Sequence, residues 1–222
     1  MSTHHRTGRA ATPSGRTPRT VPATGRPWSW RGIDLITAAM LAVAFGVVFW
    51  GFDTFVYPAV SAATTAFPPL GALTLGVWLI PAVVGGLVVR RPGAALFTEL
   101  VAANVELFLG NKWGIAVLLS GVLQGLGVEL VLAAGRWRRF GPATAVVGGI
   151  VAAVLEVVCY EWWAYTPDYS PAWKAVYLLC GVLSGAVVAG LGGWALVRYL
   201  ARAGALDAFP AGQEARASAA PR

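Results

Sequence analysis

Along the chain, six apolar runs alternate with short polar breaks, at residues 33–50, 70–89, 94–109, 114–134, 143–162 and 175–197. A bilayer's hydrocarbon core is about 30 Å thick and a helix rises about 1.5 Å per residue, so runs near this length predict membrane-crossing helices. The pattern therefore predicts an all-α integral membrane protein built as one six-transmembrane-helix bundle. The third run is short and carries Glu99, Asn104 and Glu106. A helix facing lipid on all sides would not tolerate them, so this run is expected to be surrounded largely by the other five.

Composition agrees with the pattern. Hydrophobic residues make up 57% of the 222 positions and charged ones only 12%, where an ordinary soluble domain has about a quarter charged. The net charge of +7 is no nucleic-acid footprint, because the basic residues fall on alternate breaks. Six arginines from Arg6 to Arg31 precede the first run, Arg90 and Arg91 follow the second, Arg136, Arg138 and Arg139 follow the fourth, and Arg198, Arg202, Arg216 and Arg222 follow the sixth. Only Lys112 and Lys174 lie on the other side, so 15 of 17 basic residues share one face. The positive-inside rule then places both termini in the cytoplasm and leaves short external loops near 51–69, 110–113 and 163–174. Residues 1–27, rich in Thr, Pro, Gly and Arg, read as a disordered basic cytoplasmic tail; residues 28–205 form the membrane domain; and 206–222 read as a second disordered tail. The basic region before the first apolar run is too long for a signal peptide and no cleavage site follows that run, which is therefore expected to stay as a transmembrane anchor.

Several chemistries lack their residues. His4 and His5 lie in the first tail, and Cys159 and Cys180 fall in separate apolar runs as packed thiols, so no metal-ligand cluster is visible. Neither lysine follows a phosphate-loop glycine pattern, so ATP must be used by a partner polypeptide. No nucleophile and base are paired for covalent catalysis, and the chain is not read as an enzyme.

Polar residues inside the runs carry the functional signal, since a carboxylate in hydrocarbon costs roughly 2.5 to 3.5 kcal/mol on insertion scales. Glu99 and Glu106 are seven residues apart, on one helical stripe with Ala102 and Ala103 between them. Gln124 falls at mid-depth in the fourth run, with Glu129 below it. Glu156 falls in the outer half of the fifth run, on a stripe with Tyr160 and Trp163, and Glu161 marks its end. Glu106 and Glu156 can thus converge near the external face. Aromatics crowd that face, Trp50, Tyr57, Trp113, Tyr165, Tyr169 and Tyr177 among them. Half or more of them suit an interfacial belt, but the other face is much poorer. Aromatic faces beside buried carboxylates suit a flat, cationic, nitrogen-containing ligand. Small-residue ladders, Ala38, Ala42 and Gly46 in the first run and Gly181, Gly185, Ala189 and Gly193 in the sixth, allow close helix approach. Most are expected to pack within the bundle, while that of the first run is also able to receive a helix of another subunit.

The sequence Arg91-Pro92-Gly93-Ala94-Ala95, then Glu99, Glu106, Leu109-Gly110-Asn111, Gly114, Gly121, Gln124-Gly-Leu-Gly, Glu129 and Arg136-Trp137, closely resembles the YkoE-type substrate-binding (S) components of energy-coupling factor (ECF) transporters. Tyr165, Pro167 and Tyr169 match a further external-loop motif of that family. The resemblance covers about residues 30–205 and is strongest over 91–137. It implies a multi-pass plasma-membrane protein that captures thiamine, or its hydroxymethylpyrimidine precursor, outside the cell. It also implies delivery inward with a transmembrane coupling (T) component and two cytoplasmic ATPases, the chain itself needing no cofactor. Ligand-binding residues are then expected at Glu106, Glu156, Gln124, Glu99, Tyr160, Trp163, Trp113, Trp50 and Tyr169, and docking to the T component at Ala38, Ala42 and Gly46. Glu129 is expected to pair with Arg136 or Arg90 or to pack against the third run, and Asp53 and Asp168 to be solvated loop acids. Two other readings stay open: an S component for another small vitamin, and a non-transporting scaffold whose buried acids only hold helices together.

Overall fold

A computed structural model describes Val21, Ala23 and residues 28–219. Among these, all regular structure is helical, and five continuous segments are long and apolar enough to cross a membrane. They are α1 (Gly32–Ala63), α2 (Pro68–Val89), α4 (Gly114–Ala134), α5 (Pro142–Ala164) and α6 (Pro171–Arg202). Between α2 and α4 lies α3 (Ala94–Leu109), and α7 (Pro210–Ala219) closes the described chain. Prolines mark several starts: Pro142 opens α5, and Pro171 opens α6 behind Ser170, whose hydroxyl accepts the Trp173 N–H. Proline suits a first turn because its missing N–H would have had no helical partner there. The tight turn from α2 to α3 has Arg90 and Gly93 in the left-handed region, with φ of 56° and 86°.

The short third run is enclosed over most of its length, though chiefly by three helices rather than five, and Phe108 and Leu109 at its end are exposed. No residue from 94 to 107 is exposed, and α3 packs against α1, α2 and α4. The α1 stripe facing it is Asp34, Ala38, Ala42, Gly46 and Phe49, all buried. A Cβ at Gly46 would lie 2.5 Å from Val105 Cβ and 2.7 Å from the Ala102 carbonyl. The Ala38–Ala42–Gly46 ladder is therefore an intramolecular seam with α3, not the free docking face expected for a T component. Small side chains let two backbones touch, and here the backbone that fills the space is the chain's own. The outward face of α1 is apolar and open, with Met40 68% exposed. The ladder in α6 also packs internally: a Cβ at Gly149 of α5 would lie 2.0 Å from the Gly185 carbonyl.

At the arginine-rich end, buried Asp34 holds both Arg31 (2.6 Å) and Arg91 (2.9 Å), and the Trp30 indole donates to the Pro92 carbonyl at 3.1 Å. Glu129 accepts the Ala95 N–H at 2.9 Å. It thus serves the first turn of α3, where N–H groups lack helical partners, and pairs with neither Arg136 nor Arg90. Arg90 instead reaches Glu214 of α7 through two hydrogen bonds, 2.6 and 2.9 Å, and stacks 4.7 Å from the Phe140 ring centroid.

Three expectations need correction. The chain from 206 onward is not a disordered tail as far as it is described: Leu206, Phe209 and Ala211 are buried in the core and α7 is anchored by Glu214. The segment at 51–69 is no open loop, because α1 continues helically to Ala63. Of the two thiols, Cys180 is buried but Cys159 is exposed. The tail expected at 1–27 lies outside the described residues except for Val21 and Ala23.

Candidate functional site

At the end of the bundle opposite the arginines, the helices part around a cavity of about 490 Å³. It is built from α1 to α6 and the segments joining them at that end. Toward mid-bundle it is lined by Glu99 and Gln124, higher up by Glu106, Glu156 and Glu161, and at its mouth by Tyr57, Trp113, Tyr165 and Tyr169.

Glu99 is anchored by a defect in α2. Pro81 has no N–H to give the helical ladder, and the next N–H, that of Ala82, donates to Glu99 Oε2 at 2.8 Å. The amide of Gln124 is oriented by its acceptors, and its nitrogen donates to Glu99 Oε1 at 3.3 Å and to the Trp78 carbonyl at 3.2 Å. One proline thus exposes backbone groups that two polar side chains satisfy.

Glu106 differs. It is fully buried on α3, and no donor reaches either of its carboxylate oxygens. The Asp53 carboxyl of α1 faces it within hydrogen-bond reach, and the Trp113 indole lies within reach of Asp53, although none of these oxygens has a donor in full bonding geometry. Asp53 is 7% exposed and so is not the solvated loop acid expected. The sequence signal for it was available, since Ala42, Gly46, Phe49 and Asp53 continue one helical stripe.

On α5 the helix widens to π geometry over Val157–Glu161. In a regular helix Glu156 would share a face with Tyr160, four residues on; the wider turn brings Glu161, five residues on, into the cavity instead. Glu161 is buried within reach of the Tyr177 hydroxyl, and Ser120 lies within reach of Glu156, yet Oε2 of each glutamate lacks a donor. The same widening turns Tyr160 away to meet Tyr165 (hydroxyls 3.3 Å apart) and leaves Trp163 70% exposed, bonded to the Val158 carbonyl.

Six of the nine expected ligand-binding residues therefore line the cavity: Glu99, Glu106, Gln124, Glu156, Trp113 and Tyr169. Tyr160, Trp163 and Trp50 do not; Trp50 packs edge-on against Phe55 outside it. Asp168 is exposed, as expected. Cavity residues left out of the expected ligand set are Tyr57, Trp78, Tyr165, Tyr177 and Glu161, whose facing depends on helix phase; the sequence places Tyr57, Tyr165 and Tyr177 only on the aromatic-rich face. Burial pushes the Tyr165 and Tyr169 hydroxyls up, so both stay protonated donors near neutral pH.

A membrane-embedded bundle with an acid- and aromatic-lined cavity at one end is the form of a small-molecule-binding membrane subunit. Comparison with known proteins narrows the class. Residues 33–155 match a family described as the permease component of an ABC-type cobalt transport system. The chain is 32% identical over 187 residues to the "Putative HMP/thiamine permease protein YkoE" of Bacillus subtilis (strain 168), covering 84% of this chain and 92% of that one. It is also similar to a solved structure, the crystal structure of an S-component of an ECF transporter, with a TM-score of 0.79, 31% identity, and coverage of 86% of this chain and 95% of that one. The chain belongs to the S components of ECF transporters, of the YkoE type. It is a multi-pass membrane protein of a transporter family that performs no catalysis of its own.

Proposed function

We propose that this chain captures thiamine, or its hydroxymethylpyrimidine precursor, in the cavity and delivers it inward together with a T component and two ATPases. On this reading α1 to α6 all cross the plasma membrane, both termini are cytoplasmic, and the cavity opens outward. The single observation that carries it is Glu106, fully buried at the cavity with both oxygens lacking a donor. A buried carboxylate costs several kcal/mol unless something neutralises or hydrogen-bonds it, and a cationic ligand with an amino group does both. Aromatic faces at the mouth suit its rings, and the anchored Glu99–Gln124 pair suits polar edge recognition deeper in. A scaffold role would instead have these acids neutralised by arginine. The cobalt description of the matching family finds little support in the donor set: among the described residues no three His, Cys, Asp or Glu side chains are grouped as a metal site needs.

Isothermal titration of the purified protein with thiamine, hydroxymethylpyrimidine and other B vitamins tests the reading. Submicromolar binding of either of the first two is expected. No heat and no tryptophan quenching with both, alongside binding of a different vitamin, would overturn the ligand assignment while leaving the family intact.

A further inference from the structure

The mouth of the cavity already holds a positive charge of the protein's own. Lys112, in the turn between α3 and α4, places its Nζ 3.4 Å from the centroid of the Tyr57 ring and 4.4 Å from that of Trp113. Both rings line the cavity. The turn is set by Asn111, whose Oδ1 accepts the N–H groups of Trp113 (2.8 Å) and Gly114 (2.6 Å). This fixes where Lys112 and Trp113 begin, but the lysine stem is otherwise exposed. Among the described residues its ammonium forms no ion pair, so the rings are its principal seat, with Asp53 acting on it only at longer range. Behind the seat lie Asp53 and Glu106, facing each other within hydrogen-bond reach and with the Trp113 indole near Asp53, their buried oxygens lacking a donor in full bonding geometry.

Two aromatic faces at these distances around an ammonium form a cation–π seat, and the lysine that fills it is tethered by a flexible, easily hydrated stem. The ammonium reaches the rings but not the acids behind them. A free ligand bearing its charge on a rigid ring body is not limited by that tether. We propose that Lys112 is a resident stand-in that holds a cation subsite formed by Tyr57 and Trp113 in the empty protein, and that a ligand with a fixed positive charge occupies the subsite by displacing it. The inference rests on the proposed thiamine reading and deepens it. Lys112 taxes cationic ligands and leaves neutral ones, seated deeper against Glu99 and Gln124, unaffected; it also keeps the rings covered when no ligand is present.

Lys112 and Lys174 are the only lysines in the chain, so protein labelled with ¹³C-lysine shows two ε-methylene signals, assigned with Lys112→Met. In the empty protein the Lys112 ε protons should be displaced upfield by the ring currents. Saturating thiamine should return them to the position of a solvated lysine, and neutral hydroxymethylpyrimidine should not. Lys112→Met should tighten thiamine about three- to tenfold, the scale of one partly exposed cation–π contact. Lys112→Arg, which keeps a cation on the rings, should remain within about twofold of the parent protein, as should hydroxymethylpyrimidine binding to all three. The inference is overturned if the Lys112 signal keeps its ring-current shift in the thiamine-loaded protein. It is equally overturned if Lys112→Met weakens thiamine, leaves it unchanged, or alters both ligands alike. If the parent protein binds neither compound, the thiamine reading fails separately; tetramethylammonium then serves as the probe, loss of the upfield shift sustaining the displacement and its persistence refuting it.

Discussion

On the proposed reading, ligand capture turns on Glu106 and Glu161, each of which has a buried carboxylate oxygen at the cavity with no donor in bonding geometry. Replacing Glu106 with Gln keeps the shape but removes the charge, so thiamine binding should weaken by tenfold or more, roughly the loss of one charge-assisted hydrogen bond, while thermal stability holds or rises. Titration calorimetry beside a melting curve checks both. The π turn in α5 makes a sharper distinction: Glu161→Gln should weaken binding severalfold and Tyr160→Phe should not. The opposite ranking would show that a regular helical phase persists in the working protein. Glu106, Gln124 and Glu99 were legible from the sequence because a polar atom inside an apolar run must face protein or cavity. Asp53 was misread because it sits just past the end of an apolar run, although its place on the stripe of Ala42, Gly46 and Phe49 carried the signal.

Among the elements, α1 and α7 depart most from expectation. The small residues of α1 marked a close contact correctly, but spacing alone does not say which helix makes it; only the packing of α3 against it does. Gly46→Val would drive two methyls into Val105 and the Ala102 carbonyl, costing about 1 to 3 kcal/mol in the manner of an overpacked core and lowering the melting temperature in detergent by several degrees. For α7, burial opposes ionisation of Glu214, but hydrogen bonds from Arg90 and the Val21 N–H outweigh it and hold the carboxyl below the usual glutamate range. A depressed folded-state value stabilises above the unfolded value and is lost as pH falls through the folded one. Amide protection over 210–219, taken relative to the intrinsic exchange rate at each pH, should therefore stay high at neutral pH and fall as the medium is acidified below about pH 4.5. Glu214→Gln should lower it already at pH 7.

For the whole molecule, the proposed orientation makes opposite ends answer to opposite sides of the membrane. A cysteine at Lys112 should react with an impermeant maleimide in intact cells, and one at Arg138 only after permeabilisation, both on a background lacking Cys159 and Cys180. The reverse pattern would turn the cavity inward and remove the case for capture from outside. What the sequence by itself determined was the all-helical membrane class, the charge asymmetry between the two ends and the acids that share the interior, because hydrocarbon penalises polar groups wherever they fall along the chain and basic residues sort by loop. Which face each helix presents was decided only by the tertiary structure. A single extra residue in the turn at Val157–Glu161 exchanges Tyr160 for Glu161, a proline in α2 supplies the donor that fixes Glu99, and backbone contact with α3 claims the α1 seam. These are differences of helix phase and neighbour. Their energies come from contacts between residues far apart in sequence, so no local pattern records them.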